Sequence, residues 1–144
     1  MADEEVAVRA IMTPYHLNKK RTGITRKAFV APAETDEVSI SRHPHVPAAI
    51  AKFWAKAVVQ APPDKLYVGL AFIDVHRVRK AQSDVVDSRS EYLGHGDVRH
   101  GIVMPKRGVP LPPPMLLQLD KQIDAILSAA VYVRDPNPES LRWS

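Results

Sequence analysis

The spacing of apolar side chains predicts several β-strands. Residues 5–12 predict a first strand, in which Val6, Val8 and Ala10 alternate with Ala7, Arg9 and Ile11. Val38–Arg42 alternates apolar and polar positions, which is typical of a half-buried strand. The run Leu66–Ile73 is the most apolar in the chain, so we expect a central strand there. Segments 84–87 and 94–103 are weaker candidates, the second because three glycines interrupt it.

Apolar positions three and four residues apart predict three helices. The first covers 47–60, begins at a proline and stops before Pro62. A second covers 75–82, with Asp74 as its expected N-cap. The third covers 115–131. Its apolar seam is Leu116, Leu119, Ile123, Ile126, Ala130 and Val133.

These elements predict an α+β fold, with a small mixed sheet of about four to five strands and two or three packed helices. A basic loop at 15–27 leads to a short extended piece at 28–30. The prolines of 105–114 exclude a helix or a central strand and predict a stiff strap. We therefore divide the chain as follows: a compact domain at 1–104, the strap, a C-terminal helix at 115–134 that packs on the domain or on a partner, and a tail at 135–144.

Composition narrows the class of protein. With 144 residues, 45% hydrophobic and 25% charged, the chain resembles an ordinary globular domain with one core. The absence of cysteine excludes disulfides, zinc ribbons, iron–sulfur clusters and thiol nucleophiles. The first residues are acidic, unlike a secretory signal, and no apolar run approaches the roughly 18 residues of a membrane span. We expect a cytoplasmic protein that does not contact a membrane.

Basic residues are concentrated in two clusters, and the formal net charge is +4. One function of such clusters is to bind the phosphate backbone of nucleic acid, and an equally good alternative is contact with a protein partner. The third interpretation is a solvated surface without a ligand. The candidate residues are Lys19, Lys20, Arg21, Arg26 and Lys27 in the loop, and Arg77, Arg79 and Lys80 in the second helix.

The segment Gly94–Gly101 concentrates side chains that can do acid–base chemistry. On an extended strand His95, Asp97 and Arg99 share one face, and His100 lies on the other. Histidine exchanges protons near neutral pH, and an arginine fork matches phosphate oxygens, so these four are candidate catalytic residues of a nuclease or phosphodiesterase. The competing interpretation is a set of ordinary polar surface residues.

The same segment has a second chemical interpretation. His95 and Asp97 could join His43 and His45 in holding a transition metal, because imidazole and carboxylate suit zinc, manganese or iron. Against this, Pro44 places the histidine pair in a loop, and no helical spacing fixes its geometry. We expect no cofactor, and this metal set is the alternative.

The C-terminal helix has an apolar face wide enough for two interpretations. Leu116, Leu119, Ile123 and Ile126 pack in the domain's own core, or they dock on another subunit. The proline strap favours docking, because it separates this helix from the strands that precede it.

The layout of 28–101 resembles that of small uncharacterised bacterial proteins, some from defence or conflict gene neighbourhoods. The segments that carry the resemblance are Val38–Arg42, a following helix, Leu66–Leu70, Asp74–Arg79 and Gly94–Gly101. The resemblance implies no established activity and transfers no site residue.

Three functions follow as expectations. The first is an accessory or binding subunit of a bacterial multi-protein assembly, such as an antiphage defence assembly, that acts through its C-terminal helix and basic patches. Its partner would be another protein or a second copy of the chain, with nucleic acid as an alternative. The second function is the histidine-dependent nuclease or phosphodiesterase. The third is a toxin-like or antitoxin-like regulator, with which small size and basic charge are compatible.

Overall fold

The computed structural model describes residues 2–20, 22–43, 52, 66–88 and 94–140. Within these ranges six strands form one sheet in the order β4-β5-β2-β1-β3-β6, and every pairing is antiparallel. The α+β class is confirmed, with six antiparallel strands where a mixed sheet of four to five was expected. The elements are β1 Val6–Thr13, β2 Glu37–His43, β3 Leu66–Asp74, α1 Val75–Lys80, β4 Asp84–Asp87, β5 His95–Arg99, α2 Pro113–Ala129 and β6 Val131–Arg134.

One face of the sheet carries the apolar core. Residues directly opposite each other on paired strands share a face, and the buried side chains Ala7, Ile73, Val38, Val98 and Val85 follow this rule. Helix α2 packs its apolar seam against this face of the sheet. The seam residues in the core are Leu119, Ile123 and Ile126.

The short extended piece expected at 28–30 is wrong, because Arg26–Phe29 forms a 3-10 turn. Ala28 and Phe29 are both fully buried in the core below α2. A strand would have pointed these neighbours to opposite faces, whereas a turn allows both to be buried on the same side.

Helix α1 begins after Asp74, as expected, but the Asp74 side chain makes no capping hydrogen bond. Instead, main-chain carbonyls of Asp3 and Glu5, near the start of the chain, accept hydrogen bonds from the first amides of this helix. The amide of Val75 donates to the carbonyl of Glu5 at 3.0 Å, and the amide of His76 donates to the carbonyl of Asp3 at 3.3 Å. The helix ends at Lys80, before Gln82, which has a positive φ of 66°.

The C-terminal region differs most from the expected arrangement. The predicted helix at 115–134 ends at Ala129, because Ala130 is extended and β6 follows at once beside β3. The predicted tail at 135–144 begins with Asp135, a buried residue whose amide donates to the carbonyl of Val68 at 2.9 Å. The predicted tail is therefore attached to the sheet at Asp135.

The helix predicted at 47–60 lies outside the described residues, apart from Lys52, which is helical and fully buried. Among the helices of the described ranges, none combines the length and apolar character that crossing a bilayer requires.

Candidate functional site

His95 and Asp97 lie inside the protein on β5, opposite Ser41 and Ser39 of β2. The Nδ1 atom of His95 is 2.9 Å from the carbonyl oxygen of Ser88, and the Ser88 amide donates to the carbonyl of His95 at 3.0 Å. Burial raises the pKa of Asp97, and the nearby His95 and the Ser88 side chain act in the opposite direction. Solvent has little access to this carboxylate and this imidazole.

Arg99 follows on the same face at the solvent-exposed end of β5. Its guanidinium lies 3.3 Å from Asp36 and 3.5 Å from Glu37. Two carboxylates therefore offset much of the positive charge that was expected to attract a phosphate.

His100 stands at the centre of a buried polar network. Its Nε2 is 2.7 Å from the carbonyl oxygen of Phe29, and its Nδ1 is 2.8 Å from the hydroxyl of Ser83. A carbonyl can only accept, so Nε2 carries the proton; in the neutral ring Nδ1 accepts, and the Ser83 hydroxyl donates to it. Burial lowers the pKa of His100 and outweighs the opposing contributions of the Phe29 carbonyl and Asp36.

Gln122 joins helix α2 to this network. Its side-chain amide donates to the carbonyls of Gln82 and His100, both at 2.9 Å, and lies 3.2 Å from the Ser83 hydroxyl. Sequence reasoning missed both Ser83 and Gln122. The available signal was spacing: Gln122 is three residues after Leu119 and four before Ile126, so it lies on the helix face that packs on the sheet.

The network predicts a pH-dependent stability. Because its pKa is lowered by folding, His100 contributes its full stabilisation above its ordinary pKa of about 6.5, and this contribution decreases as the pH falls below that value. The stability advantage of the wild type over His100→Gln should therefore be smaller at pH 5.5 than at pH 7.5, by at most about 1.4 kcal/mol, which corresponds to one pH unit below the ordinary pKa. Urea unfolding at both pH values measures this difference.

The control is Gln118→Ala, which removes an exposed side chain without an ionisable group from α2. Its stability difference from the wild type should be the same at both pH values. A His100→Gln difference that does not change with pH would contradict the assignment of a buried neutral imidazole.

A shallow surface depression of about 560 Å³ lies over the network. Two of the four candidate catalytic residues, Arg99 and His100, line it, whereas His95 and Asp97 do not. The four candidate residues therefore do not all line this depression. The full lining is Arg79, Gln82, Ser83, Asp84, Val86, Arg99, His100 and Gly101.

The structure brings only some of the four predicted metal ligands close to one another. His95 and Asp97 are neighbours on β5, His43 ends β2, and His45 lies outside the described residues. Across the described ranges, no three histidine or carboxylate side chains are arranged to hold a metal ion.

The basic loop is attached to α2 by an ion pair. Arg26 donates from Nε and Nη2 to the two carboxylate oxygens of Asp124 at 2.7 and 2.8 Å, and Asp120 lies 3.6 Å from Nη1. Lys27 lies over the ring of Tyr15, 5.6 Å from its centre. Lys19 and Lys20 are exposed, and Arg21 lies outside the described residues.

The second basic cluster likewise contains one arginine in ion pairs and two exposed basic residues. Arg79 forms ion pairs with Asp3 and, at 3.1 Å, with Asp84, whereas Arg77 and Lys80 are exposed on α1. Of the eight predicted nucleic-acid or partner contacts, Arg26 and Arg79 are thus held by carboxylates of the chain itself.

The four seam residues expected to contact a partner do not all remain at the surface. Leu119, Ile123 and Ile126 are buried in the core of this chain, and Leu116 is exposed. Three of the four seam residues therefore belong to the protein's own core, because α2 covers the sheet. The first turn of α2, which carries Leu116, extends beyond the sheet.

Comparison with known proteins found no matching family model, no matching curated protein and no matching solved structure.

The ion pair between Lys52 and Asp135 is the most enclosed of those among the described residues. Lys52 Nζ lies 2.7 Å from an Asp135 carboxylate oxygen and donates to the carbonyl of Asn137 at 2.8 Å; both charged side chains are fully buried. The Tyr67 hydroxyl donates to the same Asp135 oxygen at 3.0 Å. Burial alone would raise the pKa of Asp135, but the hydrogen bonds from Lys52, the Asn137 amide and Tyr67 lower it below its usual value.

Proposed function

We propose that the protein is an accessory binding subunit of a multi-protein assembly, which docks an acidic protein surface through its strap and the start of α2. The observation that supports this proposal is three consecutive large apolar side chains in solvent. Met115, Leu116 and Leu117 are 40%, 46% and 59% exposed. With the exposed Val103 and Val109 of the preceding segment they make up the strap–helix surface.

These exposed apolar residues are concentrated in one segment of the chain and are not scattered over the surface. Single exposed apolar residues are ordinary, whereas five large ones within residues 103–117 are typical of a binding surface. Leu116 also continues the seam that Leu119 and Ile123 bury against the sheet. The apolar face of α2 thus extends past the core of the domain, in a position to contact another protein.

The positive charge of the strap–helix surface indicates that its partner is acidic. Lys106 and Arg107 are exposed within the strap–helix surface, and residues 101–119 contain no acidic side chain. An apolar pocket bordered by carboxylates complements this surface, because opposite charges steer association and disfavour wrong partners. The exposed Lys19, Lys20, Arg77 and Lys80 add positive charge elsewhere. An antiphage defence assembly is the setting that the resemblance to small bacterial proteins implies.

Photo-crosslinking in the cells that produce the protein can identify the partner. A benzophenone side chain in place of Leu117 should crosslink one protein. The same group in place of Ala125, an exposed residue further along α2, should not. Crosslinking of the same protein from both positions, or of a second copy of the chain from position 117, would contradict the proposal.

The purified partner then permits a quantitative test. Leu117→Glu should weaken binding at least about tenfold, because it places a charge in the apolar contact and repels an acidic partner. Ala125→Glu, the matched control, should leave the dissociation constant unchanged. Lys106→Gln should weaken binding at low salt and reduce its salt dependence. Unaltered binding by Leu117→Glu, measured calorimetrically, would exclude the strap–helix surface.

A further inference from the structure

The hydroxyl of Ser83 is held against a base where the polar network meets the surface depression. Its oxygen lies 2.8 Å from Nδ1 of His100, and both residues line the depression, although they are only 5% and 3% exposed. The Nε2 proton of the same ring is directed to the carbonyl of Phe29 at 2.7 Å, so Nδ1 is the atom that accepts the hydroxyl proton. A hydroxyl, a base within hydrogen-bond reach and a third group that orients the base form an activated nucleophile.

We propose that Ser83 is the nucleophile of an esterase site, with His100 as its general base, and that the substrates are esters of small carboxylic acids. This site differs from the expected nuclease site, because it uses neither His95 nor Asp97. It goes beyond the proposed function and does not depend on it, because the depression and the strap–helix surface share no residue.

The turn between α1 and β4 holds the Ser83 side chain in position. Gln82 reverses the chain with a φ of 66°, and the amide of Ser83 donates to the carbonyl of Val78 at 3.2 Å. The side-chain amide of Gln122 lies 3.2 Å from the Ser83 oxygen and can donate to it. One lone pair of that oxygen then accepts from Gln122 while its proton is donated to His100, and the second lone pair remains for attack.

The reaction proceeds in two steps. The Ser83 oxygen bonds to the carbonyl carbon of the ester, and its proton moves to Nδ1 of His100. The bond to the alcohol breaks as Nδ1 passes this proton to the alcohol oxygen. Water then attacks the acyl-serine and gives a proton to Nδ1, which returns it to the Ser83 oxygen as the carboxylic acid leaves. The Phe29 carbonyl and Asp36 both favour the charged ring that exists between these transfers.

The depression suits a small and polar ester. Its volume is about 560 Å³, and Val86 is the only apolar side chain among its described lining residues, so a long acyl chain would find little apolar surface. At Gly101 an added Cβ would meet nothing within 4 Å, which leaves room for a ligand. Arg99 contacts Asp36 and Glu37 through Nη2, so its Nε and Nη1 groups supply the donors for the carbonyl oxygen.

Labelling of the full chain with diisopropyl fluorophosphate tests the nucleophile. The serine oxygen should displace fluoride from phosphorus, and peptide mass spectrometry should find the added diisopropylphosphoryl group on Ser83. Ser83→Ala should remain unlabelled, whereas Ser128→Ala, which removes an exposed serine of α2, should be labelled like the wild type. An unlabelled Ser83 in the folded wild type, or equal labelling of Ser83 after unfolding in urea, would overturn the proposal.

Hydrolysis of p-nitrophenyl acetate tests the base and the substrate class. The wild type should release an initial burst of about one p-nitrophenolate per chain, because an acyl-serine accumulates, and Ser83→Ala should show no burst. His100→Gln should slow both labelling and hydrolysis at least about 100-fold, as the loss of a general base predicts. p-Nitrophenyl octanoate should be a poorer substrate than the acetate. The assignment fails if the burst survives in Ser83→Ala, or if a folded His100→Gln variant is labelled at the wild-type rate.

Discussion

Replacing Lys52 with methionine is expected to reduce the free energy of unfolding by about 3–5 kcal/mol, because it leaves Asp135 as a buried charge without its cation. The lysine and the carboxylate are both fully buried and lie 2.7 Å apart, so water cannot take the place of the lost ammonium without a change in packing. Urea unfolding at pH 7.5 measures the loss. Lys121→Met, an exposed change on α2, should alter stability by less than about 0.5 kcal/mol.

The pH dependence of this variant provides an independent check. In the wild type the pKa of Asp135 is lowered, so its stabilisation is present above the ordinary pKa near 3.9 and is lost as the pH falls through the folded-state value. Without Lys52, burial raises that pKa, and protonation of Asp135 then favours the folded state. The gap between wild type and variant should therefore narrow as the pH falls from 7 to 5.

A second variant separates the loss of the pair from the loss of packing. The double change Lys52→Met/Asp135→Leu removes both charges, and buried pairs can often be replaced by apolar side chains at little cost. It should be more stable than Lys52→Met alone. If the double variant is less stable, an unpaired Asp135 carboxylate is not what destabilises Lys52→Met, and the loss must come from packing.

Local periodicity was sufficient to predict much of the sheet and the last helix. Residues 5–12, Val38–Arg42 and Leu66–Ile73 match β1, β2 and β3 closely, because half-buried and fully buried strands leave direct patterns in the sequence. Helix α2 matches for the same reason. The end of that helix was misplaced, since Val133 continues its helical spacing although pairing with β3 makes 131–134 extended.

The candidate site was predicted less completely, because its partners are distant in the chain. The period of two correctly groups His95 with Asp97 on one face, but it does not reveal that this face is buried there. The contacts of His100 come from Phe29, Ser83 and Gln122, which only the folded chain brings together. Similarly, no spacing pattern in the sequence indicates that Lys52 and Asp135 are in contact.

Arg9 shows the same limit for a charged residue in a strand. The alternation places Arg9 in a strand but does not indicate its contacts. The Arg9 side chain donates to the carbonyls of Ala28 at 2.9 Å and Ser39 at 3.1 Å. Burial lowers the pKa of this guanidinium to about 10. The residue thus connects β1 to the 3-10 turn and to β2, a structural role that only the folded chain reveals.

Gly69→Ala is expected to destabilise the protein by about 3 kcal/mol, the upper end of the usual cost of overpacking. A Cβ atom at Gly69 would lie 2.4 Å from the carbonyl oxygen of Val133 and 2.9 Å from the ring of Tyr132. The nearer contact is with main chain, so β6 must move away from β3. The matched control Gly23→Ala, in the basic loop, meets nothing closer than 3.6 Å and should cost less than about 1 kcal/mol.

Hydrogen exchange can locate the damage that Gly69→Ala causes. Because the clash lies between β3 and β6, the amides of Val133 and Asp135 should lose protection, while those of β2 and β5 keep theirs. Uniform loss of protection across the sheet would show instead that β6 and the rest of the sheet unfold as one unit.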